Sequence, residues 1–585
     1  MNITDKEYLL SLVPEELPDW RQLAEEGRKI GEGLEVNKTR FLKEKGCDNL
    51  FDYKLKRLKE GELTWQTIMG LASLDDQVKG HEYLDEFGKR TGVVIDSAMV
   101  IANMLTAIPE DKRANAPKGT SFVLEKYADY EDIAEAASIQ PCFNDFHIGT
   151  PNSVECTKNA IRVGSSYIGV LAQFTWDYPG CSDDIKNMSE TVKAISMIAS
   201  RYDEKFAVDT YLDDGIPSYM LDLASYMGYA LLEKYIVTEL CGARYVVGFG
   251  QLMDKTIPKV SILLALSDLL KQDDQPGVSY IFSNTIDHWD HDLEANYGFL
   301  CTEVLMEVLV EKKYKTGVSI LPIPITEKVA VPTPQSIANI HAASRRVAEK
   351  AEEWEDLMDY TKIEETRDIL KERGVQFYNN VINGLKEAGV DVTDPLRMLL
   401  LLKRISPIKL EQLFHQSILD GSDDVKPYVP TSMAKRSIDT RDEIVENINS
   451  NMPTAKEKIS DRKILVLSGD GHWYGQFVVA GVLSKLGADV VDGGVGMDAI
   501  DVLDLADEVN VSDICISVHN GQALDYAKQL MELSKDREND YRFFMGGKLN
   551  GIVDGNSEPI DVTDRIEAVG VYTSDTVEEL VEKLI

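Results

Sequence analysis

The sequence predicts an α/β protein: a (β/α)8 TIM-like barrel followed by a smaller Rossmann-like (flavodoxin-like) parallel-sheet domain. Three observations carry this. From Thr64 to Ile325 short apolar runs alternate with amphipathic stretches, the pattern of parallel strands joined by crossover helices. From Asp461 a second series of strand–helix pairs begins, its strands ending in glycine or polar residues. Between the two series the strand signal disappears. A doubly wound open sheet is the competing architecture for the first series.

Residues 1–63 are charged, with Leu and Trp at wide intervals, and read as a helical arm. In the barrel segment, 64–345, the strands read GVVIDSAMVIA, SSYIGVLAQF, KFAVDTYL, ARYVVGFGQ, GVSYIFSNT and TGVSILPIP, with CSDDIKNMSETVKAISMIASRY and TIPKVSILLALSDLLKQ among the helices. Residues 346–425 form a helical extension of long amphipathic stretches such as TRDILKERGVQFYNNVINGLKEAG. Residues 426–460 carry Pro427, Pro430 and Pro453 and read as a linker. In 461–585, RKILVLSGDGHWYG is a buried strand entering a glycine-flanked loop, and QFVVAGVLSKLGA is its crossover helix. ADVVDGG, DICISVHN, YRFFMGG and GVYT are further strands, and SDTVEELVEKLI is a closing helix. Ligands of open parallel sheets bind beyond the carboxyl ends of the strands, where the unusual residues of this segment lie.

At 585 residues the chain holds more than one domain. Its net charge of −37 argues against nucleic acid, which requires a basic footprint, and against anionic membranes. Solubility is the ordinary reading of such a charge, and a basic partner the alternative. The first residues lack the apolar core of a signal peptide. The most apolar early run, Val93 to Leu105, is interrupted by Asp96 and Asn103 and is too short to span a bilayer. The seven cysteines contain no CxxC pair, as expected of reduced core thiols in a cytoplasmic protein.

The first loop of the C-terminal segment reads Asp470-Gly471-His472-Trp473-Tyr474-Gly475. A histidine just past a strand end presents its ring outward. A carboxylate two residues earlier is placed to reach the ring's other nitrogen, fixing the tautomer and making the imidazole a better metal donor. The strand DICISVHN ends in Ser517-Val518-His519-Asn520-Gly521, and YRFFMGG ends in Gly546-Gly547. These three features, at successive strand ends, resemble the cobalamin-binding domain of the methionine synthase and mutase type. The resemblance implies that His472 is the lower ligand of cobalt, displacing the cofactor's own base. It also implies that the displaced nucleotide tail runs in a slot lined by Ser517, Gly546 and Gly547, glycines leaving it room. His519 departs from the pattern, standing where that family usually has leucine.

The barrel segment resembles the catalytic subunit of glutamate mutase (methylaspartate mutase) through GLASLDDQ, HIGTPNS, GSSYIGVLAQFTWDYPG, YVVGFGQLMD, TIDHWDHD and AVPTPQSIANIHAAS. A single chain with its cobalamin domain at the C-terminus is similar to 2-methyleneglutarate mutase. The resemblance implies a cobalamin-dependent mutase (an isomerase) that uses adenosylcobalamin for a radical carbon-skeleton rearrangement. A corrinoid methyltransferase and a non-catalytic cobalamin sensor or storage protein are the alternatives.

The departures bear on substrate. Three arginines of that family fall on Met69 or Ile68, near Met104, and on His147, and its catalytic glutamate falls on Val170. Two neighbouring tyrosines become Trp176 and Gly180. Each lost charge-assisted hydrogen bond is worth about 1.5–3 kcal/mol, so a dicarboxylate held in the family's pose is not expected. Tyr167, Gln173, Trp176 and Tyr178 are the expected substrate liners. His147, Asp177 and Asp209 are the expected catalytic groups, the acidic ones suited to an amine. Glu327 matches, with a one-residue slip, a glutamate that holds the adenosyl ribose. His288 and His291 have an H-x-x-H spacing that can bind zinc, but no third ligand is identifiable. The expected partners are a small-molecule substrate and further copies of the chain in a homodimer or higher homo-oligomer.

Overall fold

The computed structural model describes residues 3–116, 121–253, 255–272, 275–283, 292–327, 330–405, 407–417, 425–470, 473–519, 521–551 and 560–585. The chain divides into two compact units: residues 1–107, 120–175 and 183–433, and residues 108–119, 176–182 and 434–585.

The first unit is built on eight parallel strands: β1 (Thr64–Met69), β2 (Ser97–Val100), β3 (Gln140–Cys142), β4 (Tyr167–Ile168), β5 (Ala207–Tyr211), β6 (Arg244–Phe249), β7 (Val278–Ser283) and β8 (Ser319–Pro322). They lie in the order β3-β2-β1-β8-β7-β6-β5-β4. A parallel bridge between Phe143 and Ile168 joins the two ends, so the sheet is a nearly closed barrel, and the competing open sheet is not the architecture. Both faces of the strands are covered, which is why they read as continuous apolar runs. Caps delimit the intervening helices: Ser73 accepts a backbone N–H at the start of Leu74–Thr91, and Gly92 closes that helix in the left-handed conformation.

Strand residues alternate between the helix layer and the barrel interior. At the amino end the interior holds Cys142, Tyr167, Ala207 and Val246, sealed by Phe41, Phe51 and Tyr53 from the helices Arg40–Lys45 and Leu50–Lys59. At the carboxyl end it holds Met99, Val170, Tyr211, Tyr280, Phe282, Leu321 and Ile323, with Ile68 packed against them. The register between β6 and β7 slips by one residue, Val247 facing Val278 and Gly248 facing Tyr280. This bulge lets Ser279 and Tyr280 both serve the interior.

The second unit contains a parallel five-stranded sheet: β9 (Lys463–Ser468), β10 (Asp489–Val495), β11 (Asp513–Val518), β12 (Arg542–Gly547) and, after a small ribbon of β13 (Asn550–Gly551) and β14 (Ile560–Asp561), β15 (Tyr572–Ser574). The order β10-β9-β11-β12-β15 is that of flavodoxin-like sheets, with the reversal of winding between β9 and β11. Separate apolar cores cover its two faces. Residues 426–460 are not a plain linker. They contain the helices Ser432–Asn451 and Ala455–Ile459. Ile448, Ala455 and Ile459 are fully buried in one of those cores. The prolines punctuate this segment, and the amphipathic stretch between them has a core to pack on. Among the described residues no helix is long and apolar enough to cross a membrane.

Candidate functional site

In the second unit the loops at the switch point are bonded to one another. Gly469 N donates to Ser517 O at 2.9 Å, and Gln522 Nε2 donates to Gly469 O at 2.7 Å. The Asp470 carboxylate, buried, accepts the backbone N–H of His519, and the Asp470 carbonyl accepts Gly496 N at 2.9 Å. Asp470 thus fixes the loop after β9 against the end of β11. Gly471 and His472 lie outside the described residues, as does Asn520. Trp473 opens the helix Trp473–Lys485.

Beside these loops glycines let the chain approach itself closely. A Cβ on Gly475 would overlap Ser517 Oγ, and one on Gly547 would lie 2.5 Å from Val518 O and 3.0 Å from His519 Cε1. Gly547 also has φ +106°, which side-chain-bearing residues avoid. A Cβ on Gly546 would lie 3.1 Å from Ser574 O. Ser517 Oγ is buried, with no hydrogen-bond partner among the described residues, and so is Asn550 Oδ1, which lies beside Gly521. Native proteins rarely leave such atoms unsatisfied. A ligand bearing polar groups satisfies them, and the residues present fit a cobalamin tail on that ground.

The barrel's carboxyl-end interior is aromatic and acidic. Tyr211, Tyr280 and Phe282 form a cluster with ring centroids 5.1–6.5 Å apart. The loops after β3, β4 and β5 meet at Gln173, whose Nε2 donates to Asp145 Oδ1 at 2.7 Å and lies 3.4 Å from Asp214 Oδ2. Its Oε1 accepts Phe146 N at 3.0 Å. Burial, reinforced by the Asp214 charge, pushes the Asp145 carboxyl up to about 8. Asp145, Asp214, Tyr211, Tyr280 and Phe282 escaped the sequence reading. Carboxylates just past the ends of β3 and β5 were the available signal.

Several expected residues stand elsewhere. Tyr167 lies at the amino end, 4.8 Å from the Phe51 ring and beneath Lys54. It is one alternation too early in β4 to reach the mouth. His147 is turned into the helix layer between Tyr130 and Phe143, each 5.4 Å away, and burial lowers its pKa to about 4. It is neutral there, and no arginine-like role is available to it. Asp209 sits midway down the barrel, accepting Ser279 Oγ at 2.9 Å and Asn144 Nδ2, with Lys54 as its counter-charge. Trp176, Asp177 and Tyr178 belong to the second unit, where a Cβ on Gly496 would lie 2.9 Å from Asp177 O and Gly180 N donates to Asp498 Oδ2 at 2.6 Å. Gln173 alone of the expected liners is at the mouth. Met69 packs outward on Leu84 and Ile95, leaving Ile68 as the inward residue. Glu327 is half-buried in the turn after β8, and burial raises its carboxyl to about 7. His288, Trp289 and His291 lie outside the described residues.

Residues 464–558 match the family described as the B12 binding domain. Among solved structures, the chain is similar to a novel cobalamin-binding protein from Desulfitobacterium hafniense DCB-2, determined at 1.5 Å, with 20% identity and a TM-score of 0.18 over 26% of this chain and 87% of that one. No curated protein matches the chain. The C-terminal sheet is a B12-binding domain, its cofactor is cobalamin, and the chain has a cobalamin-dependent function.

Proposed function

We propose that this chain is an adenosylcobalamin-dependent mutase that rearranges the carbon skeleton of a small substrate other than a dicarboxylate held as glutamate mutase holds it. The observation that carries the reading is one polypeptide joining a B12-binding domain to a barrel whose interior is sealed at the amino end and lined with apolar and aromatic side chains at the carboxyl end. Bound adenosylcobalamin supplies a carbon-centred radical, the chemistry that a carbon-skeleton rearrangement needs.

The chain's own residues do the rest. His472 is the cobalt ligand in this reading, oriented by Asp470, while Ser517, Gly546 and Gly547 hold the nucleotide tail. Ile68, Met99, Val170, Leu321 and Ile323 exclude water from the substrate, which protects reactive species and strengthens every polar contact inside. Ile68 and Val170, where the resembling family carries arginine and glutamate, offer a dicarboxylate no charged partner. A cytoplasmic location and self-association in a homodimer or larger oligomer belong to the same proposal.

The test is hydrogen-isotope exchange between adenosylcobalamin labelled at C5′ and a panel of small acids and amines, using the full chain loaded with that cofactor. Transfer of label to one of them is the expected result. Uptake of methylcobalamin but not adenosylcobalamin would move the chain to methyl transfer, and uptake of adenosylcobalamin without exchange would leave a sensor or storage protein.

A further inference from the structure

We infer that the barrel mouth binds a primary ammonium group, so that the substrate is a small amine. This rests on the mutase reading for calling the ligand a substrate, but not for the binding itself. Three kinds of group converge at the carboxyl end of β3, β4, β5 and β7. Asp145 and Asp214 both lie against the Gln173 amide, which bridges the loops. Tyr211, Tyr280 and Phe282 set their rings together, and Asp214 acts electrostatically on both tyrosines. The Tyr280 hydroxyl, fully buried, has no hydrogen-bond partner among the described residues. It lies over Gly248, where a Cβ would overlap the ring, and within electrostatic reach of Asp209, Asp213 and Asp214.

Each group suits a cation more than an anion. The rings attract an ammonium through their quadrupoles, most strongly where water is excluded. The unsatisfied phenol oxygen accepts one N–H, and carboxylate accepts another. The groups acting on Asp145 are burial, the Gln173 amide and the Asp214 carboxylate; by contrast, Asp209 and Asp213 are already answered. Lys54 acts on Asp209, and Asp213 accepts the Tyr226 hydroxyl and the backbone N–H groups of Gly250 and Leu252. An arriving ammonium supplies what Asp145 lacks, while a second carboxylate would meet repulsion. Asp214, half-buried, is the outer edge of the cluster.

The experiment is calorimetric titration of the full chain with n-butylamine hydrochloride, 1-butanol and glutarate at fixed ionic strength, without and then with adenosylcobalamin. Butylamine is expected to bind at least tenfold more tightly than butanol, with glutarate not binding. Asp145→Asn should weaken the amine tenfold or more without affecting butanol, and Tyr280→Phe, which removes a hydroxyl with no hydrogen-bond partner among the described residues, should weaken it several-fold with folding intact. Equal affinity for amine and alcohol, binding of glutarate instead, or a Tyr280→Phe variant that binds amine as well as the parent would overturn the inference. Because the titration without cofactor reads binding alone, amine binding with no isotope exchange would refute the mutase reading and keep this one. Exchange with a non-amine would do the reverse.

Discussion

At the scale of single residues, the B12-binding domain holds buried polar atoms with no hydrogen-bond partner among the described residues. Ser517 Oγ is one of them, so Ser517→Ala should leave the thermal midpoint of the apo domain unchanged or slightly raised. It should nonetheless weaken cobalamin, by an amount on the order of the 0.5–1.5 kcal/mol of a neutral hydrogen bond, read from the absorbance change on titrating hydroxocobalamin. Gly547→Val should abolish uptake altogether, because the backbone at φ +106° and the carbonyl 2.5 Å from the new Cβ leave no place for a branched side chain. A Gly547→Val protein that still takes up cobalamin would remove the slot from the account. His472 is proposed as the cobalt ligand on its motif alone. Its test is the electron paramagnetic spectrum of the cobalt(II) form: nitrogen splitting from a protein imidazole is expected in the parent and should vanish in His472→Gly.

At the scale of elements, the helix Leu50–Lys59 does more than cap the barrel. It carries Lys54 into the sealed amino end, where Nζ donates to Ser279 O at 2.7 Å and burial lowers its pKa to about 8. Glu311 and Asp209 both feel that charge, so Lys54→Met should destabilise the barrel by about 1–3 kcal/mol, the penalty for leaving the buried Ser279 carbonyl without its donor. Asp209→Asn added to Lys54→Met should recover part of the loss, giving a coupling larger than about 0.5 kcal/mol in urea unfolding. Strict additivity would mean that the two do not act on each other. The strands were readable because parallel strands covered on both faces are long apolar runs. The direction each side chain takes was not, since it depends on register. Tyr167 was expected at the mouth and stands at the opposite end, and the one-residue bulge at Ser279 has no signature in GVSYIFSNT.

At the scale of the whole molecule, the titration of buried groups sets how stability responds to pH. Asp145, Asp209 and Glu233 have carboxyls raised to about 8, 7 and 7. The folded state therefore holds protons that the unfolded chain has lost, and stability falls as pH rises from the ordinary carboxylate range to about 8. His81, His147 and His341, lowered to about 4, 4 and 3, act oppositely and only below their ordinary value of 6.5. The barrel's calorimetric midpoint should thus decline between pH 6.5 and about 8, and Asp145→Asn should flatten the decline. A midpoint that climbs through this window would contradict the burial of these carboxylates. In the same calorimeter, cobalamin at a hundred times its dissociation constant should stabilise the 434–585 core by about 2.7 kcal/mol.

The sequence by itself determined the two α/β architectures and the cofactor. Strand–helix alternation is a local pattern, and the D-x-H-x-x-G, S-x-H and G-G features each occupy a few consecutive residues at a strand end. Only the tertiary structure decided which side chains share the barrel mouth. Asp145, Gln173 and Asp214 come from three separate loops, and the Tyr280 ring comes within electrostatic reach of Asp214 because Gly248, on the neighbouring strand, leaves room for it. It also decided that His147 faces the helices, that Asp209 answers to a lysine from the N-terminal arm, and that residues 434–459 belong to the core they precede. Each of these depends on register and long-range packing, which set the partners of a side chain without leaving a trace in its neighbours along the chain.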